Sequence, residues 1–182
     1  MKSLQRGFTL LELMVTLAIV GIVAVIALWD SSDMLESDRA ESYLLELKRT
    51  LSFARAKATS SDAIIVVCSG NTNSIETNIR TRCLLNWDNG SVFVFFDSNQ
   101  NGVYNPNVGD VILRVMEEVP ENSQLNFTGD NSIIFDTSGM LSSSQGTFTY
   151  CPSKADNDNN KQLEVFTSGT ALYIGTTTDV CN

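Results

Sequence analysis

Glu12 is the one charged residue in an apolar run that extends from Phe8 to Trp29. A carboxylate held in hydrocarbon costs a few kcal/mol or more, so such a group is kept where a partner neutralises it. A second set of candidate ligands is Asp97, Asn99, Asn101 and Gly102, which follow the first half of a D-x-[DN]-x-[DN]-G calcium loop. The twelfth position of that loop calls for a bidentate glutamate, but Val108 stands there, and Asp110 could substitute in a looser site. The preferred reading is a polar hairpin turn, since Asn and Gly tolerate left-handed backbone, with calcium as the secondary one. The cysteines are Cys68, Cys83, Cys151 and Cys181. Outside the cytoplasm an even count implies disulfides, and four cysteines allow three pairings. Cys68–Cys83 with Cys151–Cys181 is favoured, because each pair then closes one continuous stretch.

Other chemistry finds little support. Histidine is absent, which removes the usual general base and metal ligand. No C-x-x-C spacing offers a zinc site, and no lysine stands in an S-x-x-K arrangement. Glu117 and Glu118 would point to opposite faces of a strand, a poor acid/base pair. The chain does not read as an enzyme, and no cofactor is expected.

The elements that position these residues are one long helix and a set of short strands. From Phe8 to about Ser60 there is no proline, and Gly21 alone interrupts the helix formers. Beyond the apolar run, Leu35, Ala40, Tyr43, Leu44, Leu47, Leu51, Ala54 and Ala58 recur at helical spacing, with Arg39, Lys48, Arg49, Arg55 and Lys57 opposite. After Ser60 the period becomes two. Candidate strands are 63–68, 91–97, 111–116, 124–127, 132–136, 146–151, 163–166 and 171–175, divided by turn-forming runs such as Asp88-Asn89-Gly90. The acidic run Asp156 to Asn160 reads as a solvated loop. The expected class is α+β: a long amino-terminal helix, membrane-spanning then amphipathic, on an antiparallel β-domain of one or two sheets.

A secretory signal would have a shorter apolar core and a small-residue cleavage site after it. A plain membrane anchor fits the length but leaves Glu12 without a role. Lys2 and Arg6 on one side, with Asp30, Asp33 and Glu36 on the other, place the amino terminus in the cytoplasm.

Gly7, Phe8 and Glu12 in this arrangement resemble the class III signal of type IV pilins and pseudopilins. The resemblance implies cleavage after Gly7 by prepilin peptidase and N-methylation of Phe8. It further implies that Glu12 pairs with a neighbouring subunit's terminal amine during assembly. The domains implied are a leader over 1–7, a transmembrane half-helix over 8–29, an amphipathic half over 30–60 and a periplasmic or extracellular β-domain over 61–182. Later segments narrow the resemblance to minor pilins of the FimT/FimU type and to pseudopilin H of type II secretion. These are Phe53-Ala54-Arg55-Ala56-Lys57-Ala58, Val94-Phe95-Phe96-Asp97, and Ile133 through Gly139 leading to Gly146 through Cys151. Pilins often staple the carboxy-terminal segment, which supports Cys151–Cys181. Many also carry a proline just past the membrane portion, where this chain has Ala27-Leu28-Trp29-Asp30 and no expected bend.

What the resemblance implies for function is a structural subunit that primes a type IV pilus or sits at its tip. The partners it implies are other minor pilins, the major pilin, the inner-membrane platform, the outer-membrane secretin and a tip adhesin. The expected location is the inner membrane, then the pilus. Pseudopilin H is the alternative. A DNA-uptake receptor is the other, but the family's Gly-Arg-x-Arg motif is replaced by Ser168-Gly169-Thr170-Ala171-Leu172. The formal net charge is −9. From position 60 onward five basic residues face fourteen acidic ones, a balance that repels phosphate backbones. Arg80 and Arg82 near Asn78 are the residual basic spot, so DNA is not an expected partner.

Overall fold

The structure is a computed structural model describing residues 9–153 and 159–181, the side chains of residues 27–33 excepted. It divides into two compact units, Met1–Leu35 and Glu36–Asn182. Helix α1 spans Leu10–Ser61, without a break at Ala27-Leu28-Trp29-Asp30.

In the first unit the large apolar side chains from Leu10 to Ile26 face outward, Leu10 being 77% exposed and Val15 49%. Leu35, expected on the buried face, is 56% exposed. Among the described residues no helix is long and apolar enough to cross a membrane. The stretch Leu10 to Ile26 rises about 26 Å, against roughly 30 Å of hydrocarbon. The expected span over 8–29 includes positions outside the described side chains.

In the second unit the helix presents Ala40, Leu44, Leu47, Leu51, Ala54 and Ala58, all fully buried, at alternating spacings of four and three residues. That alternation keeps one stripe on one face of a 3.6-residue helix. The stripe belongs to a single apolar core with residues of both large sheets. Tyr43 of the helix stacks on Tyr150 at 5.0 Å, and the Arg114 guanidinium lies 5.9 Å over the Phe53 ring.

The first large sheet has the order β5-β3-β1-β7, built from β1 (Ile65–Gly70), β3 (Ser91–Phe96), β5 (Val111–Val115) and β7 (Ser132–Phe135). All its neighbours are antiparallel. The central strands β1 and β3 are buried along nearly their whole length. Alternation was expected there, but a strand covered on both faces reads as a continuous apolar run, which Ile65-Val66-Val67-Cys68 and Val92-Phe93-Val94-Phe95 are. Phe93 and Phe95 stack at 5.2 Å, and Tyr104 meets both edge-on at 6.1 and 5.7 Å.

The second sheet has the order β10-β9-β8-β6, from β6 (Gln124–Phe127), β8 (Gly146–Cys151), β9 (Lys161–Val165) and β10 (Ala171–Thr176). Trp87 fills the space beside it, edge-on to Phe148 at 4.8 Å and to Phe127 at 5.6 Å. A two-stranded ribbon, β2 (Thr81–Arg82) with β4 (Val103–Tyr104), was not expected. Neither were the short helix α2 (Thr72–Glu76), capped by the Asn71 side chain, and the 3₁₀ turn Pro106–Val108. The expected strands 124–127 and 146–151 match β6 and β8, while the other boundaries moved by one or two residues: β1 starts at Ile65 rather than 63, and β9 at Lys161 rather than 163.

Cys68 is bonded to Cys83, 15 residues apart, and Cys151 to Cys181, 30 apart. The first ties β1 to the β2 ribbon and the second ties the tail to β8. Loop-closure entropy scales with the logarithm of the closed length, giving about 3.0 kcal/mol for the first bond and about 3.6 for the second. In the 36–182 unit, Cys151→Ala/Cys181→Ala should therefore cost more than Cys68→Ala/Cys83→Ala by roughly 0.6 kcal/mol. Urea denaturation of the two double variants measures this, and the reverse ranking would refute it. Leu51→Ala, in the middle of the buried stripe, should cost about 3 kcal/mol in the same assay.

Candidate functional site

At the amino-terminal end of α1 the Thr9 hydroxyl accepts a hydrogen bond from the Glu12 backbone N–H at 3.2 Å. Thr9 is thus the N-cap and Glu12 the third helical residue, the positions of a capping box. The carboxylate sits in the first turn, where the helix dipole favours negative charge. Sequence reading assigned Glu12 a role between subunits and overlooked this one, though Thr9-x-x-Glu12 was legible as a capping pattern. Thr16 donates its hydroxyl to the Leu13 carbonyl at 2.9 Å, so it is satisfied within the helix. Between Leu10 and Ile26 that leaves Glu12 as the sole ionisable side chain, on a helix otherwise exposing apolar surface. Gly7 and Phe8 lie outside the described residues.

The Asp97–Asp110 loop is built around two buried carboxylates. Asp97 accepts from the backbone N–H groups of Asn101 at 3.3 Å and Gly102 at 2.7 Å. Asp110 accepts from those of Ser98 and Asn105, each at 2.8 Å. The Asn101 side chain turns back to the Val103 N–H at 2.8 Å, while Asn99 is exposed. The aspartates therefore serve as acceptors for backbone donors that would otherwise be orphaned in the loop. Among the described residues no cluster of three or more His, Cys, Asp or Glu is placed to hold a metal ion.

Glu117 and Glu118 follow β5 and lie outside any strand, so the face argument made for them does not apply. Both are exposed, and Glu118 accepts a hydrogen bond from the Thr72 hydroxyl. Arg80 and Arg82 are exposed at the ribbon, and the neighbouring Asn78 accepts from the Tyr104 hydroxyl. Asp156 and the residues around it fall outside the described residues. The segment Ser168-Gly169-Thr170-Ala171-Leu172 closes the β9–β10 turn and opens β10, and the Arg55 guanidinium of α1 donates to its Thr170 hydroxyl at 3.2 Å. That juxtaposition was invisible in the sequence, because the partners stand 115 residues apart.

Turns elsewhere use the same device as the Asp97 loop. The Asp136 carboxylate accepts from the Ser138 hydroxyl at 2.6 Å and from the backbone N–H groups of Ser138 and Met140 at 2.8 and 3.0 Å. The hydroxyl foremost, and then the amides, hold its pKa below the usual carboxylate range. Asp130 is lowered in the same way by the Ser144 backbone N–H. Burial pushes the Tyr43 hydroxyl well above the usual tyrosine range, and among the described residues it has no hydrogen-bond partner.

The comparisons with known proteins follow these features. The sequence profile of the family described as Type II transport protein GspH matches residues 45–169. The profile of the prokaryotic N-terminal methylation motif matches residues 2–28. A fimbrial protein of Moraxella nonliquefaciens is 30% identical over 127 residues, covering 63% of this chain and 79% of that relative. The type IV major fimbrial protein FimA of Dichelobacter nodosus is 68% identical over 28 residues, only 15% of this chain and 18% of its own. The crystal structure of the type IV minor pilin FimU of Pseudomonas aeruginosa superposes with a TM-score of 0.54 at 16% identity, covering 77% of this chain and 91% of that one. At that identity the likeness shows the fold, a helix on antiparallel sheets.

Because the folded Asp136 pKa is depressed, its contribution to stability is present at neutral pH and lost as pH falls through the folded value. Asp136→Asn should lower the melting temperature at pH 7, and the gap should close once pH drops below the usual carboxylate range. Thermal melts of the 36–182 unit across that range test it; a gap independent of pH would refute the assignment.

Proposed function

This chain belongs to the GspH family of type II transport proteins, and we propose that it acts as a minor pilin, a subunit that helps prime a type IV pilus or occupies its tip. The observation that carries the proposal is the capped, outward-apolar segment Leu10 to Ile26, with Glu12 as its sole ionisable group, under a methylation motif. A soluble domain does not expose Leu10, Leu11, Met14, Leu17 and Val20 to water, since each exposed apolar surface forgoes the favourable transfer that burial provides. The partners that suit such a surface are lipid before assembly and the helices of other subunits afterwards.

In this reading prepilin peptidase cleaves after Gly7 and methylates Phe8, and the segment 8–29 anchors the subunit with its amino terminus in the cytoplasm. The Glu12 carboxylate then neutralises the amine of a neighbouring Phe8 as both leave water. An unpaired buried charge is strongly unfavourable and a paired one is tolerated, so the contact selects the correct helical register. The major pilin, other minor pilins, the inner-membrane platform and the secretin are the partners proposed. The β-domain forms the outward surface and meets a tip adhesin or another minor pilin.

The family description itself favours a second reading, pseudopilin H of a type II secretion system, which uses the same anchor and head. A chromosomal deletion scored for surface pili, twitching motility and type II secretion separates them. Loss of pili and twitching with secretion intact supports the pilus subunit, and the opposite pattern assigns the chain to secretion. In either system Glu12→Ala should reduce incorporation into filaments by ten-fold or more, on the order of 1.4 kcal/mol per decade. Immunoblotting of sheared filaments measures it, with total membrane-bound protein as the control, and undiminished incorporation would overturn the proposed pairing.

A further inference from the structure

The outer strands of the two large sheets are β5 and β7 in one and β6 and β10 in the other. An outer strand is a template for further pairing unless something closes it. β7 is closed by the segment that follows it: the Ser142 N–H donates to the Ile134 carbonyl, and the Ser143 hydroxyl accepts from the Ile134 N–H. In β6, Leu125 is wholly buried, and β5 is interrupted by a register shift between Ile112 and Arg114. β10 is regular from Ala171 to Tyr173 and shifts only beyond it. The Phe166 N–H donates to the Thr170 carbonyl, so Thr170 and Leu172 turn their backbone groups toward β9. By the alternation of an antiparallel ladder, Ala171 and Tyr173 turn theirs to the open side. Among the described residues those groups have no hydrogen-bond partner.

The open side of β10 borders a groove of about 660 Å³ against α1, lined among others by Lys48, Ser52, Arg55, Thr170 and Leu172. Lys48, Ser52 and Arg55 stand at i, i+4 and i+7, one stripe of the helix. One end of the groove is fixed by two touching turns. Gly139 and Gly169 both adopt left-handed backbone, at φ +79° and +77°. A Cβ at Gly169 would lie 2.1 Å from the Gly139 carbonyl oxygen and 3.2 Å from the Arg55 Cδ and Nε. The Arg55 guanidinium is held there by its hydrogen bond to the Thr170 hydroxyl. Among the described residues neither Lys48 nor Arg55 forms an ion pair with a carboxylate. On a chain of net charge −9, two cations beside one unpaired strand edge make a local field of the opposite sign.

We propose that this groove receives an extended acidic segment of a different protein, which adds to β10 as a fifth strand of the four-stranded second sheet. It runs antiparallel, like every ladder among the described strands. The register sets its chemistry. Residues opposite Ala171 and Tyr173 exchange backbone hydrogen bonds with them and turn their side chains to the α1 face, where those two residues join the core. Lys48 and Arg55 stand on that side, so these positions take Asp or Glu. The residues between them turn to the outer face, where Leu172 is 47% and Ile174 50% exposed, and are apolar. Main-chain bonds then supply affinity and the alternation supplies selectivity. Glu41, beside the Tyr173 hydroxyl, limits the cationic stretch, so the carboxylates gather toward Thr170. A second copy of β10 does not suit the site: Ala171-Leu172-Tyr173-Ile174 carries no carboxylate and would leave both cations unpaired. The site lies within the head unit and is independent of the assignment to pilus or secretion.

The test uses the full chain in detergent micelles and a fluorescein-labelled probe peptide, Glu-Val-Glu-Val-Glu, followed by fluorescence anisotropy. Saturable binding is expected, and Lys-Val-Lys-Val-Lys should bind more weakly by roughly ten-fold or more. N-methylation of the glutamate nitrogens removes the donors that meet Ala171 and Tyr173 and should abolish binding. N-methylation of the valine nitrogens, which point away from β10, should leave affinity within about two-fold. Lys48→Ala should weaken binding about five-fold without lowering the melting temperature, since Lys48 is not part of the packed stripe. A benzophenone in place of one valine should crosslink within residues 170–174. The peptide series requires no variant, so the proposal stays testable even if Lys48→Ala misfolds. Absence of saturable binding, binding indifferent to both methylation patterns, or a crosslink on another part of the chain would each overturn it. Displacement of the peptide by an equal concentration of duplex DNA would overturn it too, and assign the groove to nucleic acid.

Discussion

The buried stripe Ala40, Leu44, Leu47, Leu51, Ala54 and Ala58 is the constraint around which the head unit is organised. Two four-stranded sheets and a ribbon have no strand pairing that joins them into one layer. What unites them is that side chains from both large sheets enter the same core as the helix stripe. Small residues at 40, 54 and 58 allow close approach at either end, while the leucines between them supply bulk. Remove the helix and each sheet would be left with an apolar face toward water. At about 25 cal/mol per Å² of apolar area, burying such faces is the dominant favourable contribution.

Much of this was legible in the sequence because it depends on periodicity. The helix stripe follows a 3.6-residue period, and the turns between strands carry Asn, Asp and Gly. The family signal at Gly7, Phe8 and Glu12 needs only local order. What escaped was set by tertiary context. Leu35 fits the period but lies before the head unit begins, so nothing there covers it. Thr81–Arg82 and Val103–Tyr104 are too short to show a period, and the ribbon is made by pairing across more than twenty residues. The helix α2 is a five-residue element stabilised by its Asn71 cap rather than by an apolar face. Cations and turns that lie far apart in sequence, such as Arg55 and Thr170, come together only once both sheets dock on α1.

The same separation holds for the site. The charged group of α1's first unit could be identified by its cost in an apolar run, because that argument uses composition alone. The local capping partner Thr9 was equally readable, and the two roles are compatible in succession. A carboxylate that favours the helix terminus while exposed has little to lose when it acquires an amine in place of water. Conversely, a buried hydroxyl such as that of Tyr43, without a partner among the described residues, marks a place where packing of the stripe has been favoured over hydrogen bonding.

The acid excess of this chain divides by side-chain length. The short aspartates at 97, 110, 130 and 136 turn back onto nearby backbone N–H groups and fix loops. An aspartate reaches such donors with few rotamers to lose, which is why it competes well in turns. The longer glutamates at 76, 117 and 118 lose more rotamer entropy if ordered and stay exposed at the surface. Loop stability is thereby assigned to one kind of carboxylate and the external field to the other. Histidine, the side chain that ordinarily changes charge through the neutral range, is absent from the chain. Recognition on such a surface is set by where charge is placed, and between Arg39 and Lys57 α1 concentrates five cations, as many as the whole of the chain after position 60.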